Sequence, residues 1–136
     1  MTIEIQNLTK QLEELEERRQ FALRESGVGI WEWDVVSNKL VWDQNMLDIY
    51  DMCNEDFCGL YDDWASRVHP DDIARCEKSL SACIADVTNK TKYYYRFRVK
   101  RSGVWRYVVG VDTCLRDSEN NLLKVVGINM LEPESY

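Results

Sequence analysis

The chain has 136 residues, which fits one domain with a buried core and leaves little room for a second. Hydrophobic residues make up 45% and charged residues 30%, a balance typical of a soluble globular domain and not of a disordered or fibrous chain. Because 17 basic residues face 24 acidic ones, the formal net charge is -7, which opposes binding to nucleic acid or to an anionic membrane surface.

The lack of a signal-peptide pattern and the cysteine usage both predict a cytoplasmic protein. The amino-terminal segment is charged and lacks the apolar run of a signal peptide, and no stretch approaches the roughly 20 apolar residues that span a bilayer. The cysteines are odd in number and scattered without a CxxC pair, which favours free thiols in a reducing compartment. We therefore expect no membrane contact by this chain.

The first predicted element is an amphipathic helix over residues 1–24. Apolar residues recur along it at alternating spacings of four and three, with charged residues between them: Met1, Ile5, Leu8, Leu12 and Leu15. This spacing is typical of a coiled coil, so Ile5, Leu8, Leu12 and Leu15 are predicted to form the interface of a homodimer. Two clean heptads are a short pattern, and the alternative is a helix that folds back over its own domain.

A β-hairpin is predicted next, followed by short helices. Trp31 and Trp33 alternate with other residues in one run, Leu40 and Trp42 do so in the next, and the turn between them contains Asn38, which tolerates a left-handed backbone. Asp43 is a good N-cap for a short helix. A further short helix is expected to carry Trp64 and Val68.

The longest helix after the first is predicted to begin at Pro70. Pro70 suits the first helical position, His69 is the expected N-cap, and the carboxylates of Asp71 and Asp72 lie in the first turn, where they stabilise the positive end of the helix dipole. Asp72 is also predicted to accept a hydrogen bond from the backbone N–H of His69, as in a capping box. The apolar stripe of this helix consists of Ile73, Cys76, Leu80, Cys83 and Val87.

Three strand-like runs follow, over residues 93–100, 104–115 and 122–130, separated by turn signals. In the first run Tyr95 and Phe97 share one face with Tyr93 and Val99, and polar residues occupy the other face. The fold class expected from this order is α+β: a five-stranded antiparallel sheet with helices on one face.

Several motifs then coincide in order and spacing: GIWEWD, LVWD, YDDWASRVHPDD, YRFRVKRSG and VVGIN. Together they resemble the PAS sensor domains, in particular the subclass with a Trp-x-x-x-x-His-Pro-Asp-Asp signature, which here runs from Trp64 to Asp72. The resemblance covers about residues 20–130 and divides the chain into the helix (1–24), a PAS domain (25–131) and a tail (132–136). It departs from the family at the end of the last strand, where the usual Asp-Ile-Thr triplet is absent.

The resemblance implies a sheet and helices around a cavity, and a non-enzymatic sensory or relay role. The attached output domain would be a histidine kinase or a cyclic-di-GMP enzyme. The pocket candidates are Trp33, Trp42, Cys76, Leu80, Tyr95, Phe97 and Tyr107. Two alternatives stay open: a filled core that serves dimerisation only, and a small enzyme similar to ketosteroid isomerase, for which Asp112 is the one plausible acid on an inward strand position.

Cofactors are not specified by the sequence. Some PAS relatives hold haem through a histidine two turns into the long helix, and flavin-binding relatives carry an Asn-Cys-Arg-Phe-Leu-Gln motif, and this chain has neither. A metal site is not expected, because His69 is the only imidazole and no thiols are closely spaced. No catalytic residue is assigned, since a lone histidine at a helix start forms no triad.

Overall fold

The computed structural model describes residues 2–88 and 92–133. Met1 of the predicted helix stripe and residues 134–136 of the predicted tail lie outside this range. The elements in chain order are α1 (Thr2–Ser26), β1 (Gly29–Asp34), β2 (Lys39–Trp42), α2 (Gln44–Ile49), a 3-10 turn (Asn54–Asp56), α3 (Asp62–Ala65), α4 (Pro70–Ala85), β3 (Tyr93–Arg101), β4 (Val104–Arg116) and β5 (Leu122–Leu131).

The five strands form one antiparallel sheet in the order β2-β1-β5-β4-β3. The predicted α+β architecture is therefore confirmed. The last strand lies at the centre, between β1 and β4, so that Gly29 pairs with Asn129 and Asn129 in turn pairs with Gly110. Residues from both halves of the chain thus meet in the middle of the sheet.

Tight turns connect the strands where the sequence has residues that tolerate a left-handed backbone. Asn38 in the β1–β2 turn has φ 55°, and Asn120 in the β4–β5 turn has φ 67°. Asn38 also places its side-chain oxygen where it accepts hydrogen bonds from the indole of Trp33 and the backbone N–H of Tyr61. The predicted role of asparagine in the first turn is confirmed, and it extends to joining that turn to the segment before α3.

Helices α2, α3 and α4 lie on one face of the sheet and enclose the core with it. Asp43 caps α2 as predicted, with its carboxylate accepting from the Met46 N–H at 2.9 Å. Val68 is not part of α3; it follows the helix and bridges to Val99 of β3. Helix α4 ends at Ala85, so Val87, predicted as the last member of its stripe, lies beyond the helix and is exposed.

Helix α1 stands apart from this core, because none of its described residues is buried. The alternative in which it folds back over its own domain is therefore wrong for this chain in isolation. Its C-terminal end is tied to the domain by Asn45 of α2, whose side-chain amide donates to the carbonyl oxygens of Leu23 and Val28, on either side of Gly27.

The start of α4 follows the prediction in part. His69 is the N-cap, and its Nδ1 accepts from the Asp71 N–H at 3.0 Å. The capping-box prediction for Asp72 is wrong: the His69 N–H donates to the Arg98 carbonyl, and the Asp72 carboxylate accepts from the Arg98 backbone N–H, Nε and Nη2. Asp72 therefore fastens α4 to β3 and does not close its own helix end.

Candidate functional site

A cavity of about 40 Å³ lies between the inward face of the sheet and helices α2 to α4. One water needs roughly 10–15 Å³, so this space accommodates a few water-sized groups. Its lining comes from all five strands and from the helices that cover them: Trp31, Trp33, Leu40, Trp42, Met46, Tyr61, Trp64, Leu80, Tyr95, Phe97, Gly110, Asp112 and Asn129.

Aromatic rings form most of the wall. The ring centroids of Trp33 and Tyr61 are 4.9 Å apart, those of Tyr61 and Trp64 are 5.5 Å apart, and Trp64 meets Phe97 edge to face at 5.9 Å. These separations are the ones at which aromatic pairs attract. The packed rings make this wall largely apolar and hold it in place.

Asp112 is the one ionisable carboxyl in this lining, and it is only 3% exposed. It lies on β4 two residues after Gly110, on the inward face. Burial raises the pKa of Asp112 to about 7, because the ionised form has lost its water, and the nearby Tyr95 hydroxyl offsets part of that effect. Near neutral pH, this carboxyl therefore takes both protonation states.

Two further polar side chains share the cavity with Asp112. The hydroxyl of Tyr95, a residue 7% exposed, is fully buried and makes no hydrogen bond of good geometry, although it lies close to Asp112. Asn129 is by contrast engaged, since its Oδ1 accepts from the Tyr50 hydroxyl at 2.6 Å and its Nδ2 donates to the Ile128 carbonyl. The Tyr95 hydroxyl thus lies beside Asp112, and its oxygen can accept a hydrogen bond from a group entering the space.

Glycine makes room for these polar groups at two positions of the sheet. A Cβ at Gly127 would lie 2.6 Å from Oδ1 of Asp112 and 2.7 Å from the ring of Trp31. A Cβ at Gly110 would lie 2.9 Å from Nδ2 of Asn129. Both distances are shorter than non-bonded contacts allow, so the side chains of Asp112 and Asn129 occupy space that any larger residue would fill.

Five predicted pocket residues line the cavity: Trp33, Trp42, Leu80, Tyr95 and Phe97. Cys76 is buried in α4 but is not among the lining residues. Tyr107 is misplaced in the prediction, because the inward residues of β4 are Val108, Gly110, Asp112 and Cys114, and Tyr107 lies on the opposite face. There the Arg96 guanidinium lies 3.5 Å from its ring centroid.

The most informative residue that the sequence reasoning missed is Asn129. In β5, Val125 and Asn129 are buried and share one face with Gly127, so the period of two places Asn129 inward. Because asparagine is usually exposed, its polar side chain favoured a solvent-facing position over the inward one that the alternation in β5 indicates. Trp31, Tyr61 and Trp64 were also missed as lining residues, and aromatic content was the available clue.

Two of the three buried cysteines lie close to each other. The Sγ atoms of Cys83 and Cys114, on α4 and β4, lie 3.5 Å apart. Burial raises the pKa of the Cys83 thiol to about 12 and that of Cys76 to about 11, so both stay neutral. Neutral buried thiols are poor nucleophiles, which makes these residues packing elements.

Within residues 2–88 and 92–133 no group of three or more His, Cys, Asp or Glu side chains is arranged to hold a metal ion. Over the same residues, no helix has the length and hydropathy needed to cross a bilayer. The arrangement therefore offers an aromatic cavity with the carboxyl of Asp112, the neighbouring hydroxyl of Tyr95 and the amide of Asn129.

Comparison with known proteins gives the family. Residues 39–129 match a family model described as the PAS fold. The chain is 25% identical over 118 residues to the probable diguanylate cyclase DgcE of Escherichia coli (strain K12), a match that covers 87% of this chain and 10% of that protein.

Solved structures agree at the level of the fold. A sensory box histidine kinase/response regulator from Burkholderia thailandensis E264 superposes with a TM-score of 0.67 at 23% identity, covering 84% of this chain and 83% of the other. The N-terminal domain of a diguanylate cyclase with a PAS/PAC sensor from Marinobacter aquaeolei superposes with a TM-score of 0.61 at 16% identity, covering 76% of this chain and 94% of the other.

Proposed function

Because the chain belongs to the PAS fold family, whose members are sensory domains, we propose that it is a non-enzymatic sensory and signal-relay module of a larger cytoplasmic signalling protein. The output domain we propose is a histidine kinase or an enzyme of cyclic-di-GMP metabolism, since the relatives include both types. The chain spans about a tenth of the length of the curated relative that it matches, which leaves ample room for such a domain there.

In this proposal the cavity holds a small molecule. The observation that carries it is the polar content of an otherwise largely aromatic space: the Asp112 carboxyl and the Tyr95 hydroxyl, which has no hydrogen-bond partner of good geometry among the described residues, line a volume of about 40 Å³. A core built only for packing has no use for these groups, because an unpaired buried polar atom costs roughly 1–3 kcal/mol. A ligand that satisfies them recovers that cost.

Native mass spectrometry of the purified chain tests ligand binding. We expect a mass in excess of the polypeptide that is lost on denaturation. Leu80→Phe puts a larger side chain into the cavity wall and should abolish the excess mass, whereas Ser81→Phe, at the neighbouring exposed position of α4, should retain it. A wild-type mass equal to that of the polypeptide, with no ligand bound from cell extract, would favour the filled core.

We further propose that α1 pairs two copies of the chain and carries conformational change to the output domain. Its apolar stripe is exposed throughout, at Ile5, Leu8, Leu12 and Leu15. Leu12 alone leaves 67% of its surface in water. Pairing of two helices would bury this apolar stripe, and the flanking charges would keep the remaining helix surface solvated.

Light scattering tests the dimer. We expect the intact chain to dimerise and Leu12→Lys to shift it to monomer. Phe21→Lys is the matched control, since Phe21 is also exposed, at 61%, but lies off the stripe. Equal dimerisation of all three proteins would exclude α1 as the main interface, as would undiminished dimerisation of a chain lacking residues 1–22.

The enzyme alternative is less well supported. Asp112 does lie inward in an apolar cavity, as a small enzyme similar to ketosteroid isomerase requires. However, the β1–β2 hairpin precedes α2, α3 and α4, and residues 39–129 match the PAS fold. A sensory role accounts for the carboxyl without a reaction.

A further inference from the structure

The described titratable groups near Asp112 carry no positive charge. The titratable groups that face it are Tyr95 of β3, Tyr50 at the end of α2, and Cys76 and Cys83 of α4. Each of these is neutral or negative, and the lining drawn from the described part of the chain includes no lysine, arginine or histidine. The described residues therefore supply Asp112 with no counterion.

The polar groups of the cavity also favour a ligand that donates hydrogen bonds. The Tyr95 hydroxyl lacks a partner of good geometry, and a hydroxyl oxygen accepts hydrogen bonds as readily as it donates them. The ionised Asp112 carboxyl only accepts. The cavity thus presents acceptor sites that a ligand rich in N–H donors would satisfy.

The walls favour positive charge for an independent reason. Trp31, Trp33 and Trp42 line the same space as Asp112, and indole is the aromatic side chain that binds cations most strongly. The π system of an indole attracts a cation and repels a carboxylate or a phosphate. The Asp112 carboxyl, the Tyr95 hydroxyl and the indole side chains therefore all favour a positively charged ligand.

We propose that this cavity binds a small organic cation of the alkylammonium class, with its N–H groups donating to Asp112 and Tyr95 and its apolar part against the tryptophans. This inference rests on the proposal that the cavity is a ligand site. The volume of about 40 Å³ restricts the ligand to a few heavy atoms, so that charge and not apolar contact dominates recognition.

The test compares three molecules of similar size and different charge: n-propylammonium, propan-1-ol and propionate. Each is titrated into the isotopically labelled full chain at pH 8 while the tryptophan indole N–H signals are followed by NMR. We expect saturable shifts with propylammonium and an affinity at least tenfold weaker for propanol and propionate. If propanol binds as tightly as propylammonium, the inference is overturned while ligand binding by the cavity stands.

Two variants and one control test which side chains bind propylammonium. Asp112→Asn keeps the size of the side chain and should lower the propylammonium affinity at least tenfold, leaving that for propanol within twofold. Glu119→Gln is the control, because it removes a carboxylate in the exposed β4–β5 turn. Tyr95→Phe keeps the charge and should weaken propylammonium severalfold, and it decides the matter if Asp112→Asn does not fold.

The pH dependence provides a separate readout. Since burial raises the pKa of Asp112 to about 7, propylammonium affinity should be constant well above pH 7 and fall towards tenfold per pH unit below it, with no such fall in Asp112→Asn. Absence of binding by all three molecules overturns the inference. If native mass spectrometry also finds no bound mass, the sensing proposal fails with it; if it finds one, only the ligand class was wrong.

Discussion

Replacing Asp72 with asparagine should cost about 2 kcal/mol of folding free energy at pH 7. The Asp72 side chain is 8% exposed, and its carboxylate accepts three hydrogen bonds from Arg98 at 2.8, 3.0 and 3.0 Å. Those bonds lower the pKa of Asp72 from 3.8 to about 2, and each pKa unit is worth about 1.4 kcal/mol. The upper limit is therefore roughly 2.5 kcal/mol, which solvent at the 28% exposed Arg98 reduces.

Urea denaturation at a series of pH values measures this loss. A carboxyl whose pKa is lowered by folding stabilises the fold above its unfolded pKa, and that contribution disappears as the pH falls from about 4 to about 2. The gap between wild type and Asp72→Asn should therefore narrow over that range.

Asp71→Asn is the matched control for that measurement, since Asp71 is 79% exposed in the same helical turn and should lose less than about 0.5 kcal/mol. Equal losses for the two variants, or a gap independent of pH, would refute the reasoning.

Two other predictions concern the interior. Tyr50→Phe removes the buried hydroxyl that donates to Asn129 at 2.6 Å, and should lower the free energy of unfolding by roughly 1–2 kcal/mol in the same urea assay. With a thiol reagent under native conditions, Cys53 and Cys58 should react fast because they are exposed, and the other three thiols only on unfolding. Fast labelling of all five would contradict the packing described for the buried thiols.

The elements set by local patterns could be predicted from the sequence. His69 and Pro70 mark the start of α4 because a cap and a preset φ act within one turn of the chain. Asn38 takes the left-handed turn for an equally local reason. The alternation in β3 also predicted which of its residues enter the core.

Interactions between distant segments could not be predicted in this way. The partner of Asp72 is Arg98, 26 residues away, and the capping box was the nearest local explanation for a carboxylate at that position. In β4 the usual rule of apolar inside and polar outside fails, because Asp112 faces the cavity and Tyr107 does not. A site that holds polar groups in a core breaks the pattern from which cores are recognised.

The attachment of α1 has a mechanical consequence. The Asn45 side chain donates hydrogen bonds to the carbonyl oxygens of Leu23 and Val28, at the C-terminal end of α1. Gly29, one residue further on, pairs with Asn129 of the cavity lining. The base of α1 and the wall of the cavity are therefore joined within a few residues. A helix of 25 residues is about 37 Å long, and a rotation of about 5° at its base moves its tip by about 3 Å. In the dimer that we propose, a displacement at the cavity too small to break a hydrogen bond would be amplified along α1 and would shift the contacts between the two paired helices.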